Sequence, residues 1–238
     1  MKKMTDNQNR EKFLKNLYNK LETEPSECQS NPYVQINNLS NETFADKTKD
    51  ELLEICYEKV KELNIEMTEV TENDLEEKLK DIIISFGSGP MILPTDKRFD
   101  SIRPFLEKEY KEQISYWKEG AEYRESNINA AEQANIGIAF SEYLLAESGS
   151  IVVETSSGQG RTLHFLPTHY ISIIPKSQIV PRSTQAINDY AKRIERGEKL
   201  GSAIHIISGP SNSGDIEMQL VIGLHGPLKV HYLVISDK

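Results

Sequence analysis

The hydrophobic positions in the first part of the chain recur at helical spacing. Phe13, Leu14, Leu17 and Leu21 lie three or four residues apart and predict an amphipathic helix over residues 10–22. The same spacing predicts two further helices, Lys49–Leu63 and Asn73–Ile84. Residues 23–49, between the first and second predicted helices, carry few apolar side chains, which is typical of an exposed loop or a partly disordered linker. We therefore predict an N-terminal helical arm over residues 1–48.

The pattern changes after residue 134, where short runs rich in β-branched residues alternate with helical segments. Five runs predict strands: Ile136–Phe140, Ser150–Glu154, Tyr170–Ile174, Ala203–Ile207 and Val230–Ile235. Three segments between the strands predict helices: Ser141–Glu147, Ser183–Glu198 and Asp215–Val221. Strands that alternate with helices predict an α/β fold over residues 49–238, with a mostly parallel sheet flanked by helices.

Composition and charge narrow the class of protein. Hydrophobic residues make up 37% and charged residues 27%, as in a water-soluble globular protein. No run approaches the roughly 18 apolar residues of a membrane span, and no apolar segment follows the N-terminus as in a secretory signal. A net charge of −9 argues against nucleic acid and anionic membranes as partners. Two cysteines, Cys28 and Cys56, are too few for a Cys₄ cluster or zinc site, so we expect a cytoplasmic protein without a metal site or intrinsic cofactor.

Four segments carry candidate chemistry, and the first surrounds Glu147. This carboxylate is followed by Ser148, Gly149 and Ser150 and then by an apolar strand. Glu147 at a helix end could act as a catalytic nucleophile or general base, with the neighbouring hydroxyl and amide groups binding an oxyanion. The alternative is a glycine that caps a helix before a buried strand.

The second segment is the Ser/Gly-rich loop that contains Gly158 and ends at Arg161. Its backbone N–H groups and the guanidinium fork predict a clamp for a carboxylate or phosphate. The alternative is a flexible hairpin loop whose arginine faces water. The segment is no P-loop, because no Gly-Lys-Ser/Thr follows. His164 and His169 lie five residues apart, which does not match a metal-binding pair on a helix.

The third segment runs from the end of one predicted strand into a predicted helix. Small and turn-forming residues, Ser208, Gly209, Pro210, Ser211 and Ser213, precede two acidic residues, Asp215 and Glu217. Exposed amides and hydroxyls before a helix form an anion cradle at the carboxyl end of a strand. The alternative is ordinary capping, with Ser213 or Asp215 at the N-cap.

The fourth segment is a turn before the last predicted strand. Gly226 and Pro227 force the turn and present His225, which could move a proton or bind an anion. The alternative is a histidine that holds the turn by donating to a backbone carbonyl. Because all four segments adjoin predicted strands, we expect them to meet in one pocket where the strand order of the sheet reverses.

The order of these motifs resembles the LUD-domain family. Glu147-Ser-Gly-Ser, Leu166-Pro-Thr-His, Ser208-Gly-Pro-Ser-Asn-Ser-Gly-Asp-Ile-Glu and Gly223-Leu-His-Gly-Pro occur in that order over about a hundred residues. The resemblance covers roughly residues 50–238 and implies a fold similar to the phosphosugar isomerase and CoA-transferase group. It also implies a role in oxidising L-lactate to pyruvate beside iron–sulfur partner proteins that carry the redox centres.

Two departures from the family pattern affect the candidate site. The family usually has threonines where this chain has Ser148 and Ser150, and commonly Arg-Thr-Ala where it has Asn212-Ser-Gly. Without that arginine, Arg161 is the nearest substitute for an anion contact. The favoured hypothesis is an accessory subunit of an iron–sulfur L-lactate oxidation system with a small-anion pocket. The alternatives are a stand-alone CoA or acyl transferase or isomerase that uses Glu147, and a metabolite-sensing binding module.

Overall fold

A computed structural model describes residues 6–22, 36–216 and 219–238 of the protein. The chain divides into two compact units, Met1–Asn38 and Leu39–Lys238. The first unit contains the amphipathic helix α1 (Asp6–Leu21), close to its predicted position. The sequence places the domain boundary after residue 48, and this division into arm and body stays a prediction. Of the predicted linker, residues 23–35 lie outside the described residues.

The second unit contains the remaining helices and all the described strands. Its helices are α2 (Leu39–Glu42), α3 (Lys49–Glu62), α4 (Leu75–Ser85), α5 (Arg103–Tyr110), α6 (Arg124–Gln133), α7 (Thr162–Phe165) and α8 (Ser183–Glu195). Single 3₁₀ turns occur at Glu72–Asp74, Lys97–Phe99, Lys111–Gln113, Ala121–Tyr123 and Lys176–Gln178. No helix among the described residues combines the length and apolarity that crossing a bilayer requires.

The twelve strands of the described residues form three sheets. They are β1 (Glu66–Val70), β2 (Met91–Leu93), β3 (Ile114–Tyr116), β4 (Ile136–Phe140), β5 (Tyr143–Leu145), β6 (Ser150–Glu154), β7 (His169–Pro175), β8 (Ile179–Val180), β9 (Ile204–Ile207), β10 (Asn212–Ile216), β11 (Gln219–Ile222) and β12 (Lys229–Ile235). The sheet orders are β1-β12-β7-β4-β2-β3, β8-β5-β6-β9 and β10-β11.

The six-stranded sheet is entirely parallel and is covered on both faces. Its central strands therefore read as near-continuous apolar runs, as in β7, where Ile171 and Ile173 face one side and Tyr170 and Ile174 the other. One face packs against α3, α6, α7 and the four-stranded sheet. The opposite face packs against α4 and α5. The predicted α/β class, a mostly parallel sheet flanked by helices, is confirmed.

Local sequence accounts for the helices that were predicted well. Thr48 accepts a hydrogen bond from the backbone N–H of Glu51, and the Glu51 carboxylate accepts one from the N–H of Thr48, which forms a capping box at the start of α3. Leu75, Leu79, Ile82 and Ile83 bury one face of α4. The predicted helices Asn73–Ile84 and Ser183–Glu198 are confirmed as α4 and α8, with ends that shift by at most three residues.

Two predicted helices are wrong. Residues 141–147 contain strand β5, which pairs with β6 as a hairpin in the register Tyr143↔Val152. In the predicted helix Asp215–Val221, the described residues form a second hairpin, with Ser213 opposite Val221. Both segments are short, and over such lengths a buried apolar run fits a strand as well as a helix. The predicted strands Ser150–Glu154 and Ala203–Ile207 exist, but they belong to the four-stranded mixed sheet.

Candidate functional site

The turn after Glu147 is joined to the end of β9 by serine hydroxyls. Ser148 Oγ donates to Ser150 Oγ over 2.9 Å, and Ser150 Oγ lies 2.7 Å from Ser208 Oγ. Gly149, with φ of +65°, occupies the turn of the β5–β6 hairpin. It therefore ends no helix, and the first and third candidate segments meet through Ser150.

Ser211 connects the third segment to the turn that carries His225. Its backbone N–H donates to the carbonyl of Pro227 over 2.9 Å, and its hydroxyl accepts the N–H of His225 over 3.1 Å. Gly226 packs so closely against Ser211 that a Cβ added at Gly226 would lie 3.3 Å from the Ser211 Cβ. The fourth segment is therefore held against the third by Ser211.

Arg161 and His225 line one cleft of about 540 Å³, here called the arginine cleft. Its walls include Trp117, Arg124 and Phe165. The Arg161 guanidinium lies 5.7 Å from the centre of the Phe165 ring, and no described carboxylate is within ion-pair distance of it. A guanidinium without a counter-ion beside aromatic walls and an exposed imidazole suits a small carboxylate with an apolar substituent.

Two histidines lie close to the arginine cleft, His164 buried and His205 half-buried. His164 is 1% exposed, and its Nδ1 lies 2.9 Å from the Tyr170 hydroxyl, while its Nε2 has no described partner. Burial, with a smaller contribution from His205, lowers the pKa of His164 to about 3. Burial also lowers the pKa of His205, helped by the charge of Arg161. Both imidazoles are therefore neutral near pH 7.

His169, the other histidine named with the second predicted segment, is the first residue of β7 and contacts Phe86 and Asn135. Its ring stacks on Phe86 at 4.6 Å, and its Nδ1 lies 2.9 Å from the side-chain oxygen of Asn135. His164 and His169 therefore have separate local partners. Within the described ranges, no group of three or more His, Cys, Asp or Glu side chains lies together as a metal site would require.

Glu147 lies in a different environment from the arginine cleft. Its carboxylate accepts a hydrogen bond from Arg182 Nε over 2.6 Å, and its backbone N–H donates to the carbonyl of Pro181. Its side chain is 42% exposed. The described lining of the arginine cleft does not include Glu147, so its catalytic role stays a prediction that the cleft geometry does not support.

The remaining predicted site residues are spread along these loops. Pro210 is buried, and Gly209, with φ of +92°, packs against Ile65. Ser213 lies in β10, the backbone of Asp215 continues that strand, and Glu217 lies outside the described residues. The structure thus brings together Ser150 with Ser208, Ser211 with His225, and His225 with Arg161. The ligand-binding roles of these residues stay predictions.

The strand order of the main sheet reverses beside the second predicted segment and away from the other three. The chain passes from β2 outward to β3, but from β4 in the opposite direction to β7, so the reversal lies between β2 and β4. The loops that leave their carboxyl ends carry Thr95–Arg98 and Glu142 and line a cleft of about 960 Å³, here called the switch-point cleft. Of the predicted residues, Gly158 approaches this cleft through its contact with Thr95.

Sequence reasoning missed the switch-point cleft, although one signal was present. Thr95-Asp-Lys-Arg follows the apolar run Met91–Leu93, which is polar sequence directly after a short buried strand. Arg98 Nη2 lies 2.7 Å from Asp96 and 2.8 Å from Glu142. Across the cleft, Arg193 lies 2.8 Å from Glu154. Because β2 has only three residues, its hydrophobic run is too short to identify from periodicity.

Comparison with known proteins identifies the family. The profile of the LUD domain matches residues 42–235, which is most of the chain. The chain belongs to the LUD domain family. The predicted family membership is thereby confirmed, and the match begins shortly after the start of the second compact unit.

Similar curated proteins extend over nearly the whole chain. Lactate utilization protein C of Geobacillus thermodenitrificans is 43% identical over 239 aligned residues, which cover 97% of this chain and 98% of that protein. Lactate utilization protein C of Bacillus subtilis is 41% identical over an alignment that covers 82% of this chain and 83% of that protein. The crystal structure of a DUF162 family protein from Deinococcus radiodurans superposes with a TM-score of 0.56 at 16% identity, over 80% of this chain and 99% of that one. At that identity the superposition supports the fold alone.

Proposed function

We propose that this LUD-domain protein is an accessory subunit of a cytoplasmic iron–sulfur L-lactate oxidation system and that its arginine cleft binds L-lactate. Relatives of about 40% identity that carry the name lactate utilization protein C support the lactate role. The observation that carries the binding proposal is Arg161, which lines a cleft and has no described carboxylate within ion-pair distance to neutralise it. A carboxylate ligand supplies that missing charge.

The cleft provides a contact for each part of an α-hydroxy acid. Arg161 would bind the carboxylate through paired N–H donors, and His225, on the same cleft, would accept a hydrogen bond from the hydroxyl. The faces of Trp117 and Phe165 would pack against the methyl group. L-lactate and pyruvate share the carboxylate and the methyl group, so both should bind.

Oxidation of lactate to pyruvate removes two electrons and two protons, and in this system the iron–sulfur partner proteins accept the electrons. Cys56 is buried, and burial raises the pKa of its thiol to about 12, so the thiolate that a cluster iron needs is strongly disfavoured. The other cysteine, Cys28, lies outside the described residues. One cysteine of this kind does not fit a cluster, which is consistent with iron–sulfur centres on the partners.

The sole tryptophan of the chain provides a direct binding assay. Trp117 lines the arginine cleft, so titration with L-lactate or pyruvate should change its fluorescence. Arg161→Ala should weaken binding by about tenfold or more, the usual effect of losing a charged hydrogen bond. The unfolding free energy should change by less than about 1 kcal/mol, because Arg161 is exposed.

Arg196→Ala is the matched control, because Arg196 is an exposed arginine at the end of α8 and should leave the affinity unchanged. The assignment fails if neither acid binds the wild type or if Arg161→Ala binds both as tightly as the wild type does.

The proposed partners need a second experiment, affinity purification of the full chain from native cells followed by mass spectrometry. Iron–sulfur proteins should co-elute, and their absence from repeated purifications would contradict the accessory role.

A further inference from the structure

The switch-point cleft is a second built cavity, separate in its lining from the arginine cleft. Its lining includes the loop after β2, the Ser/Gly-rich loop and the segment before β9, which contains Lys199. The backbone joins the first two loops, because the N–H of Thr95 donates to the carbonyl of Gly158 over 2.9 Å. A Cβ at Gly158 would overlap the Thr95 carbonyl oxygen, so this close approach requires glycine.

The carboxylates in this cleft already have partners. Asp96 accepts from the backbone N–H of Arg98 and from its side chain, and Glu142 accepts from the same guanidinium. Glu154 uses one oxygen for Arg193 and the other for the backbone N–H of Gly201, at 2.6 Å. Their acceptor capacity is therefore largely used by the protein itself.

In contrast, two lysine ammonium groups of the lining have no carboxylate partner among the described residues. Lys97 and Lys199 both line the cleft, are exposed, and make no ion pair with any described residue. The hydroxyls of Ser156 and Ser157 lie on the same lining. A cavity whose carboxylates are paired while two ammonium groups remain unpaired favours an anionic ligand that is rich in acceptor oxygens.

The lining also contains a buried polar side chain, Gln159. Gln159 is 3% exposed and lines the cleft, and its Nε2 donates to the carbonyl of Glu154 over 3.1 Å. Its Oε1 is buried without a described partner. The side chain therefore holds the Ser/Gly-rich loop against β6, and its unpaired oxygen has almost no surface open to the cleft.

We propose that the switch-point cleft binds a nucleotide-sized phosphate anion. Lys97 and Lys199 hold the phosphate groups, and the exposed hydroxyls of Ser156 and Ser157 donate to further oxygens of the ligand. The volume of about 960 Å³ exceeds the needs of lactate and lies in the range of cofactor sites. This site is independent of the proposed lactate site and adds a second ligand class to the protein.

Isothermal titration of the full chain with ADP, ATP, coenzyme A and inorganic phosphate tests the proposal. At least one of the three nucleotides should bind with a Kd below about 1 mM and more tightly than inorganic phosphate. The double variant Lys97→Ala/Lys199→Ala should weaken that binding by about tenfold or more, and added salt should weaken the wild type similarly. Lys108→Ala/Lys111→Ala, at the end of α5, is the control and should bind as the wild type does.

A third variant separates binding from folding. Ser157→Trp places a bulky side chain at an exposed position on the lining and should abolish nucleotide binding without lowering the melting temperature. Arg161→Ala should leave nucleotide binding unchanged, which distinguishes this site from the lactate site. The proposal is overturned if no nucleotide binds, if phosphate alone binds as tightly as the nucleotides, or if the lysine double variant binds as the wild type does.

Discussion

Gly160 determines where Trp117 can lie, and Gly160→Ala should therefore disturb the arginine cleft specifically. A Cβ at Gly160 would overlap two carbons of the six-membered ring of Trp117. The backbone of Gly160 is not left-handed, so alanine is penalised by this overlap alone. Overpacking of this kind costs about 1–3 kcal/mol. For a chain of this length, each kcal/mol lowers the melting temperature by about 2–4 °C.

A double-mutant cycle shows whether the Trp117 ring causes the loss. Trp117→Leu removes the overlapping carbons, so the double variant should be more stable than the sum of the single changes predicts, by about 1 kcal/mol or more. Urea unfolding followed by circular dichroism measures all the variants, since two of them lack tryptophan. Gly214→Ala is the control, because nothing lies within 4 Å of a Cβ there. Additivity within about 0.5 kcal/mol, or an equal loss in the control, would refute the reasoning.

Three further predictions concern titration, an ion pair and the N-terminal boundary. The pKa of His164 is about 3 in the folded protein and 6.5 in the unfolded chain. As the pH is lowered from 6.5 to 3, the unfolding free energy should therefore fall by up to about 1.4 kcal/mol per pH unit. His164→Gln should flatten this slope in urea titrations, and an unchanged slope would contradict the cause. Glu147→Gln should change stability by less than about 1 kcal/mol and leave lactate affinity within about twofold, whereas a catalytic nucleophile would lose all turnover in a reconstituted assay. Removing residues 1–38 should leave a cooperative thermal transition, and removing residues 1–48 should cost at least about 1 kcal/mol more, because it deletes the N-cap Thr48 together with α2 and Phe44, which packs on the core. Equal melting temperatures for the two truncations would contradict the capping contribution.

The sequence alone determined the fold class, the family and several of the elements. The runs Tyr170–Ile174 and Val230–Ile235 are apolar except at Ser172 and His231, which is typical of parallel strands buried on both faces, and both form interior strands of the main sheet. Leu75, Leu79 and Ile82 repeat at helical spacing and face the core. Such signals are local, because each depends only on which face of one element is buried.

Tertiary structure decided which loops meet and which residues share a cleft. Residues 141–147 became a strand because β6 offers a partner that no local pattern reveals. Glu147 faces Arg182, 35 residues away, and Arg161 shares a cleft with Trp117 and His225, 44 and 64 residues away. The switch-point cleft depends on β2 lying beside β4 with β3 outside it, an order that the chain does not follow in sequence. Periodicity specifies which side of an element is apolar, but the neighbours of that side are chosen by packing energies between elements far apart in the chain.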